Sequence, residues 1–144
     1  MKNFETSINI KAAASSVWKV LMDHENYATW NPFITEISGA TEVGGSLSLM
    51  IRPEGKKPMM IQPTVLKNES ETEFRWIGHL FVKGLFDGEH YFKLEPIGKN
   101  ETKLIHGENF SGLMVAPILK MVGESTLKGF HAMNLALKNQ SENL

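Results

Sequence analysis

Cysteine is absent from the 144-residue chain. That excludes disulfide frameworks, thiolate catalysis, cysteine-ligated zinc and iron–sulfur clusters, the cofactor sites most easily read from a sequence. Net charge is nearly absent too. Fifteen Lys and Arg against sixteen Asp and Glu leave −1, so no bulk field draws the chain to nucleic acid or to an anionic membrane surface. No apolar run approaches the roughly 18 residues of a membrane helix; the longest, Leu113 to Leu119, contains Pro117 and stops at Lys120. The opening Met1-Lys2-Asn3-Phe4-Glu5 sets an acid where a signal peptide needs its apolar core, so the expectation is a cytoplasmic protein. Catalytic signatures are missing as well: there is no Gly-x-Ser-x-Gly elbow, no phosphate-binding glycine loop, no His-Glu-x-x-His and no pair of aspartates on one strand.

What is present suits an ordinary globular protein. Hydrophobic residues make up 42% of the chain and charged residues 22%, and a chain of this size buries roughly 68–70% of the surface its unfolded form exposes. A single domain over residues 1–144 follows, with a core that needs neither metal nor disulfide.

The pattern along the chain gives the elements. Phe4, Thr6, Ile8 and Ile10 alternate with polar neighbours, the period of a half-buried strand over residues 3–11. Ser15 or Ser16 is placed to cap a short helix carrying Val17, Trp18, Val20 and Leu21. A second helical turn around residues 26–28 leads to Trp30-Asn31-Pro32-Phe33, where Pro32 holds Asn31 out of the helical region and makes it a cap or turn residue. From there strand follows strand: 34–41, 46–52, 58–67, 73–79, 88–95 and 102–110, separated by short Gly, Pro, Asn and Ser turns that imply an antiparallel meander. Val115, Leu119, Val122, Thr126, Phe130, Met133 and Leu137 then step by three and four, one stripe of a long helix from 114 to about 139. Pro117 falls in its first turn, where the missing N–H has no partner to lose. Gly123 and Gly129 lie inside it and point to a bend or a close contact with the sheet.

The expected architecture is α+β: a seven-stranded antiparallel curved sheet, two short helices and a long C-terminal helix covering the sheet's apolar face. Strong curvature holds the middle of such a sheet away from the helix, so an enclosed cavity is part of the expectation.

The chain resembles the START-like superfamily, also called SRPBCC, in its polyketide cyclase/dehydrase and pollen-allergen-like branch. The residues that carry the resemblance are Ala13 to Leu21 with Asp23, Tyr27 and Trp30-Asn31-Pro32-Phe33. They continue with Arg75-Trp76-Ile77-Gly78, Phe86-Asp87-Gly88-Glu89-His90-Tyr91-Phe92 and His106 to Gly112, and end with Asn134 to Lys138. The resemblance implies the helix-grip fold over nearly the whole chain. For function it implies only a scaffold shared by lipid carriers, hormone receptors and cyclases.

Even-numbered residues of the last hairpin, His90, Phe92, Leu94, Leu104, His106, Glu108 and Phe110, form its inward face. A three-residue loop, Lys99 to Glu101, pairs His90 with Phe110, Phe92 with Glu108 and Leu94 with His106, leaving Glu108 diagonal to His90. The expected ligand-binding lining is Trp30, Phe33, Trp76, His90, Phe92, His106, Glu108 and Phe110, with Phe130 from the helix. His90, His106 and Glu108 are the one inward polar group with possible chemistry. Three readings are open for them: a structural or ligand-orienting network, acid and base groups, or a metal site, the last disfavoured by wide spacing and the lack of a third nitrogen. His24, His79 and His131 are expected at the surface or an edge. The six methionines Met50, Met59, Met60, Met114, Met121 and Met133 are gap fillers or an adaptable lining. The apolar stretch 80–86 is a strand extension or a gate.

The leading functional expectation is therefore binding of a small hydrophobic or aromatic molecule between sheet and helix, without metal or cofactor. A cyclase or dehydratase using Glu108 with His90 or His106 is the second, and a protein-interaction module presenting 80–86 the third. A monomer or weak homodimer is expected, without nucleic acid or a membrane span.

Overall fold

The computed structural model describes residues 2–144. Strand β1 (Lys2–Ile10) leads to helix α1 (Ala14–Met22), a 3-10 turn (His24–Asn26) and the short helix α2 (Tyr27–Trp30). Strands β2 (Ile34–Gly39), β3 (Leu47–Ile51), β4 (Met59–Ile61), β5 (Thr64–Glu69), β6 (Glu73–Leu80), β7 (Phe86–Gly98) and β8 (Glu101–Ser111) follow, and helix α3 (Val115–Glu142) completes the chain. The α+β order is as the periodicities imply, but among the described residues eight strands stand in two antiparallel sheets rather than seven in one. The larger has the order β1-β8-β7-β6-β5 and the smaller β2-β3-β4.

Proline causes the difference. Residues 58–67 do not form one strand, because Gln62-Pro63 divides them into β4, paired with β3, and β5, paired with β6. Pro63 has no N–H to give a ladder; its carbonyl instead accepts the Leu47 N–H at 2.9 Å. A single bridge between Ser46 and Thr64 joins the two sheets at this corner.

Two local expectations also shift. Neither Ser15 nor Ser16 caps α1, since both lie inside it. Ala13 takes the capping position with an extended backbone (φ −64°, ψ 152°), and its carbonyl receives the N–H groups of Ser16 and Val17. In the last hairpin Gly98 pairs with Glu101 across a two-residue turn, and a bulge at Ile97 restores even-to-even pairing. The register is therefore two residues from the expected one: His90 opposes Glu108, Phe92 opposes His106 and Leu94 opposes Leu104. Asn31 does act as a turn residue, its Oδ1 accepting the N–H groups of Phe33 and Ile34, both at 2.9 Å.

Helix α3 packs unevenly. Along its C-terminal half Gly129, Phe130, Met133, Asn134, Leu137 and Ser141 are buried, while Val115, Leu119, Val122 and Thr126 of the same stripe are only half-buried. The interior glycines mark close approach, as expected. A Cβ on Gly129 would lie 2.2 Å from the Phe33 ring, and one on Gly123 3.3 Å from the ring of Phe4. Phe130 is fully buried, stacked on His106 with ring centroids 4.4 Å apart and edge-on to Phe33 at 5.6 Å. Truncation there opens a void that rigid strands and a long helix cannot close. Phe130→Ala is expected to cost about 3–5 kcal/mol in urea unfolding.

His24, expected at the surface or an edge, is half-buried. Its ring packs edge-on to Tyr27 and against Phe74, and Nε2 is buried with no hydrogen-bond partner among the described residues. Desolvation lowers its pKa to about 4 despite the neighbouring Asp23. The unfolded chain thus binds this proton first. The stabilising contribution is fully present above pH 6.5 and is lost as pH falls from 6.5 to about 4. The difference in unfolding free energy between wild type and His24→Leu should change by roughly 2–3 kcal/mol between pH 7 and pH 4, the wild type losing more.

Candidate functional site

A half-enclosed cavity of about 90 Å³ lies between the sheets and the N-terminal half of α3. Its deep end is formed by the buried residues Phe33, Trp76, Gly88 and Phe110, with the half-buried Glu108, and its rim includes Met59, His79, Leu80, Phe86, Leu119 and Thr126. Apart from Glu108 the deep end is apolar. The cavity exists because two inward positions carry no side chain. Gly78 and Gly88 oppose one another on β6 and β7, between the pair Trp76–His90 and the pair Leu80–Phe86. A Cβ on Gly78 would meet only Pro63 and Ile61, at 3.7 and 3.9 Å, whereas one on Gly88 would lie 2.1 Å from Glu108 Oε2. Gly88 therefore makes room for the carboxylate and Gly78 for the empty space.

Behind Glu108 runs a buried polar chain. Glu108 Oε1 is 3.3 Å from His90 Nδ1, His90 Nε2 is 2.7 Å from His106 Nε2, and His106 Nδ1 is 2.8 Å from Asn134 Oδ1 on α3. Asn134 Nδ2 donates to Thr6 Oγ1 on β1 at 2.8 Å, and that hydroxyl donates to the His106 carbonyl at 2.9 Å. Aromatic faces close over both imidazoles. His90 stacks on Trp76 at 4.8 Å, and His106 lies between Phe92 and Phe130, each 4.4 Å away. Burial and the neighbouring His90 push the His106 pKa well below its usual value, more than the Asn134 and Phe130 hydrogen bonds raise it.

Of the sequence-derived lining, Phe33, Trp76, Glu108 and Phe110 border the cavity. His90, Phe92, His106 and Phe130 form the packed wall behind it, and Trp30 sits half-buried against Tyr27, away from the space. The two-residue register shift explains the His90 result. Facing Glu108 directly, its imidazole is covered by that carboxylate instead of exposed beside it. Of those six methionines only Met59 borders the cavity, and Leu80 and Phe86 bring the ends of the 80–86 stretch to its rim. His79 and His131 are exposed, as expected.

The sequence reading missed Gly78, Gly88, Asn134 and Thr6. Two signals were available: glycine inside a strand pattern, and a single amide beside Met133 on the apolar face of α3. Among the described residues no three His, Asp or Glu are grouped to hold a metal ion, and no helix is long and apolar enough to cross a membrane. A wider hollow of about 640 Å³ opens on the other side of α3, lined by Phe4, Leu113, Leu119 and Gly123 among others.

The chain's tautomers are checkable. His106 should remain neutral with its hydrogen on Nδ1 from pH 8 down to pH 5, as read from imidazole ¹⁵N shifts.

Solved structures share this architecture at low identity. An aromatase/cyclase, Zhui, from a Streptomyces species superposes with a TM-score of 0.80 at 14% identity, over 99% of this chain and 94% of that one. A START superfamily protein from Mycobacterium smegmatis gives 0.74 at 20% identity, over 98% and 97%. Norcoclaurine synthase from Thalictrum flavum, in complex with dopamine and hydroxybenzaldehyde, gives 0.71 at 15% identity, over 96% and 84%. These likenesses establish the helix-grip fold. No curated protein matches the chain. Residues 1–142 match the family described as polyketide cyclase / dehydrase and lipid transport, and the protein belongs to that family.

Proposed function

We propose that the protein binds a small hydrophobic or aromatic molecule in the cavity between sheet and α3, with Glu108 meeting its polar end. The carrying observation is the facing pair Gly78 and Gly88, which leaves an apolar space in front of one carboxylate. Well-packed interiors leave few voids larger than a water molecule, and an apolar pocket with one or two convergent polar groups is the usual form of a small-molecule site. Phe33, Trp76 and Phe110 supply the apolar contact. His90, His106, Phe92 and Phe130 support the wall and hold Glu108 in place.

A proton-exchanging enzyme of cyclase or dehydratase type is the second reading, favoured by the sheltered contact between Glu108 and His90. On that reading Glu108 alone meets the substrate, and His90 acts through it as a positioning residue. His106, enclosed by aromatic rings, serves the network.

Gly78→Leu tests the main reading, because it fills the space from a position with no close neighbour. The variant is expected to fold, and toluene binding, followed by amide shifts in ¹H–¹⁵N spectra, is expected to weaken at least tenfold. Equal binding by variant and wild type counts against the cavity as the site.

A further inference from the structure

Directionality in the buried chain determines where its protons lie. The Thr6 hydroxyl donates to the His106 carbonyl, so Thr6 Oγ1 must accept from Asn134 Nδ2. Asn134 Oδ1 then faces His106 Nδ1, which therefore carries hydrogen. A neutral His106 leaves Nε2 bare, and that nitrogen accepts the Nε2–H of His90 at 2.7 Å. His90 Nδ1 and Glu108 Oε1 remain, 3.3 Å apart. They are two acceptors unless one proton lies between them. One proton is therefore shared between Nδ1 and Oε1, and Oε2, lying over Gly88 at the cavity, has no hydrogen-bond partner among the described residues.

We infer that Glu108 Oε2 is a built hydrogen-bond acceptor, and that the ligand of this cavity is a neutral hydroxyl donor on a single aromatic ring, a simple phenol, not a carboxylate. The inference rests on the cavity reading above and specifies its chemistry. Whether the shared proton resides on Oε1 or on Nδ1, Oε2 accepts and does not donate. A ligand hydroxyl satisfies it, a methyl leaves it unpaired in an apolar site, and an anion meets carboxylate oxygen. Size points the same way. An enclosed apolar cavity of about 150 Å³ holds benzene, so the roughly 90 Å³ here seats at most one ring in its depth, the remainder of a ligand lying at the open rim.

The test is titration of the full chain at pH 7 with p-cresol, toluene and benzoate, followed by ¹H–¹⁵N spectra, in wild type, Glu108→Gln and Glu108→Leu. Wild type is expected to bind p-cresol about tenfold more tightly than toluene and at least tenfold more tightly than benzoate. Glu108→Gln should keep the preference for cresol over toluene, because its amide N–H can donate to His90 Nδ1 and leave the carbonyl facing the cavity. Glu108→Leu should bind both neutral rings equally. Benzoate binding as tightly as p-cresol overturns the inference, as does a cresol preference that survives in Glu108→Leu. If toluene binds, Gly78→Leu abolishes it and p-cresol has no advantage, the cavity reading stands and this inference fails. If neither neutral ring binds wild type, both fail.

Discussion

One buried amide sets the register of helix α3 on the sheet. Asn134 reaches from the apolar face of α3 to His106 on β8 and Thr6 on β1, and every other feature of the site depends on that contact. An unpartnered polar group in this core would cost about 1–3 kcal/mol, so rotating or sliding the helix would unpair Asn134, His106 and Thr6 together. Apolar packing alone is less exacting, because Met133, Phe130 and Leu137 could find contacts in more than one register. The amide therefore fixes where Phe130 stacks, and Phe130 with Phe92 fixes the plane of His106. The order passes through His90 to the Glu108 carboxylate. A group at the cavity surface is positioned through a chain of contacts that starts at Asn134 in the buried half of α3.

Packing along α3 divides the molecule into a tight end and a loose one. Around Gly129 the helix approaches so closely that the Phe33 ring occupies the place of a side chain. Towards its N-terminus the same stripe is half-buried, with the cavity on one side and the wider hollow on the other, and Leu119 borders both. Glycines produce the opposite outcomes. Gly129 is filled by a neighbour, and Gly78 is not filled at all. Leaving apolar walls unpacked forgoes dispersion contacts, a cost the tight end offsets with its aromatic stack and satisfied polar chain. Such an arrangement confines loosened packing to the place where a ligand can supply the missing contacts.

Much of the fold was legible in local patterns. Alternation in β1, the run of short strands, the three-and-four stripe of α3 and the first-turn Pro117 each reflect a period imposed by backbone geometry. The inward face of the last hairpin was legible for the same reason, since parity survives any even shift of register. The shift itself was not. Nothing in Pro96-Ile97-Gly98-Lys99-Asn100 distinguishes a three-residue loop from a two-residue turn with a bulge, yet that choice decides whether His90 faces Phe110 or Glu108. The break at Pro63 was visible as a residue but not as a change of sheet, because which strand β5 joins depends on partners distant in sequence.

The candidate site shows the same division. Composition and strand parity alone determined that one carboxylate and two imidazoles face an apolar interior, since side-chain direction in a strand is a local property. Only the tertiary structure decided that Glu108 fronts the cavity while His90 and His106 stand behind it, that Trp30 lies elsewhere, and that the His24 ring packs against Tyr27 and Phe74. Those outcomes depend on which atoms arrive from β1, α3 and the second sheet. The cavity depends on them too. Two strand glycines are a sequence fact, but an empty space arises only where no neighbouring chain segment fills the place they leave.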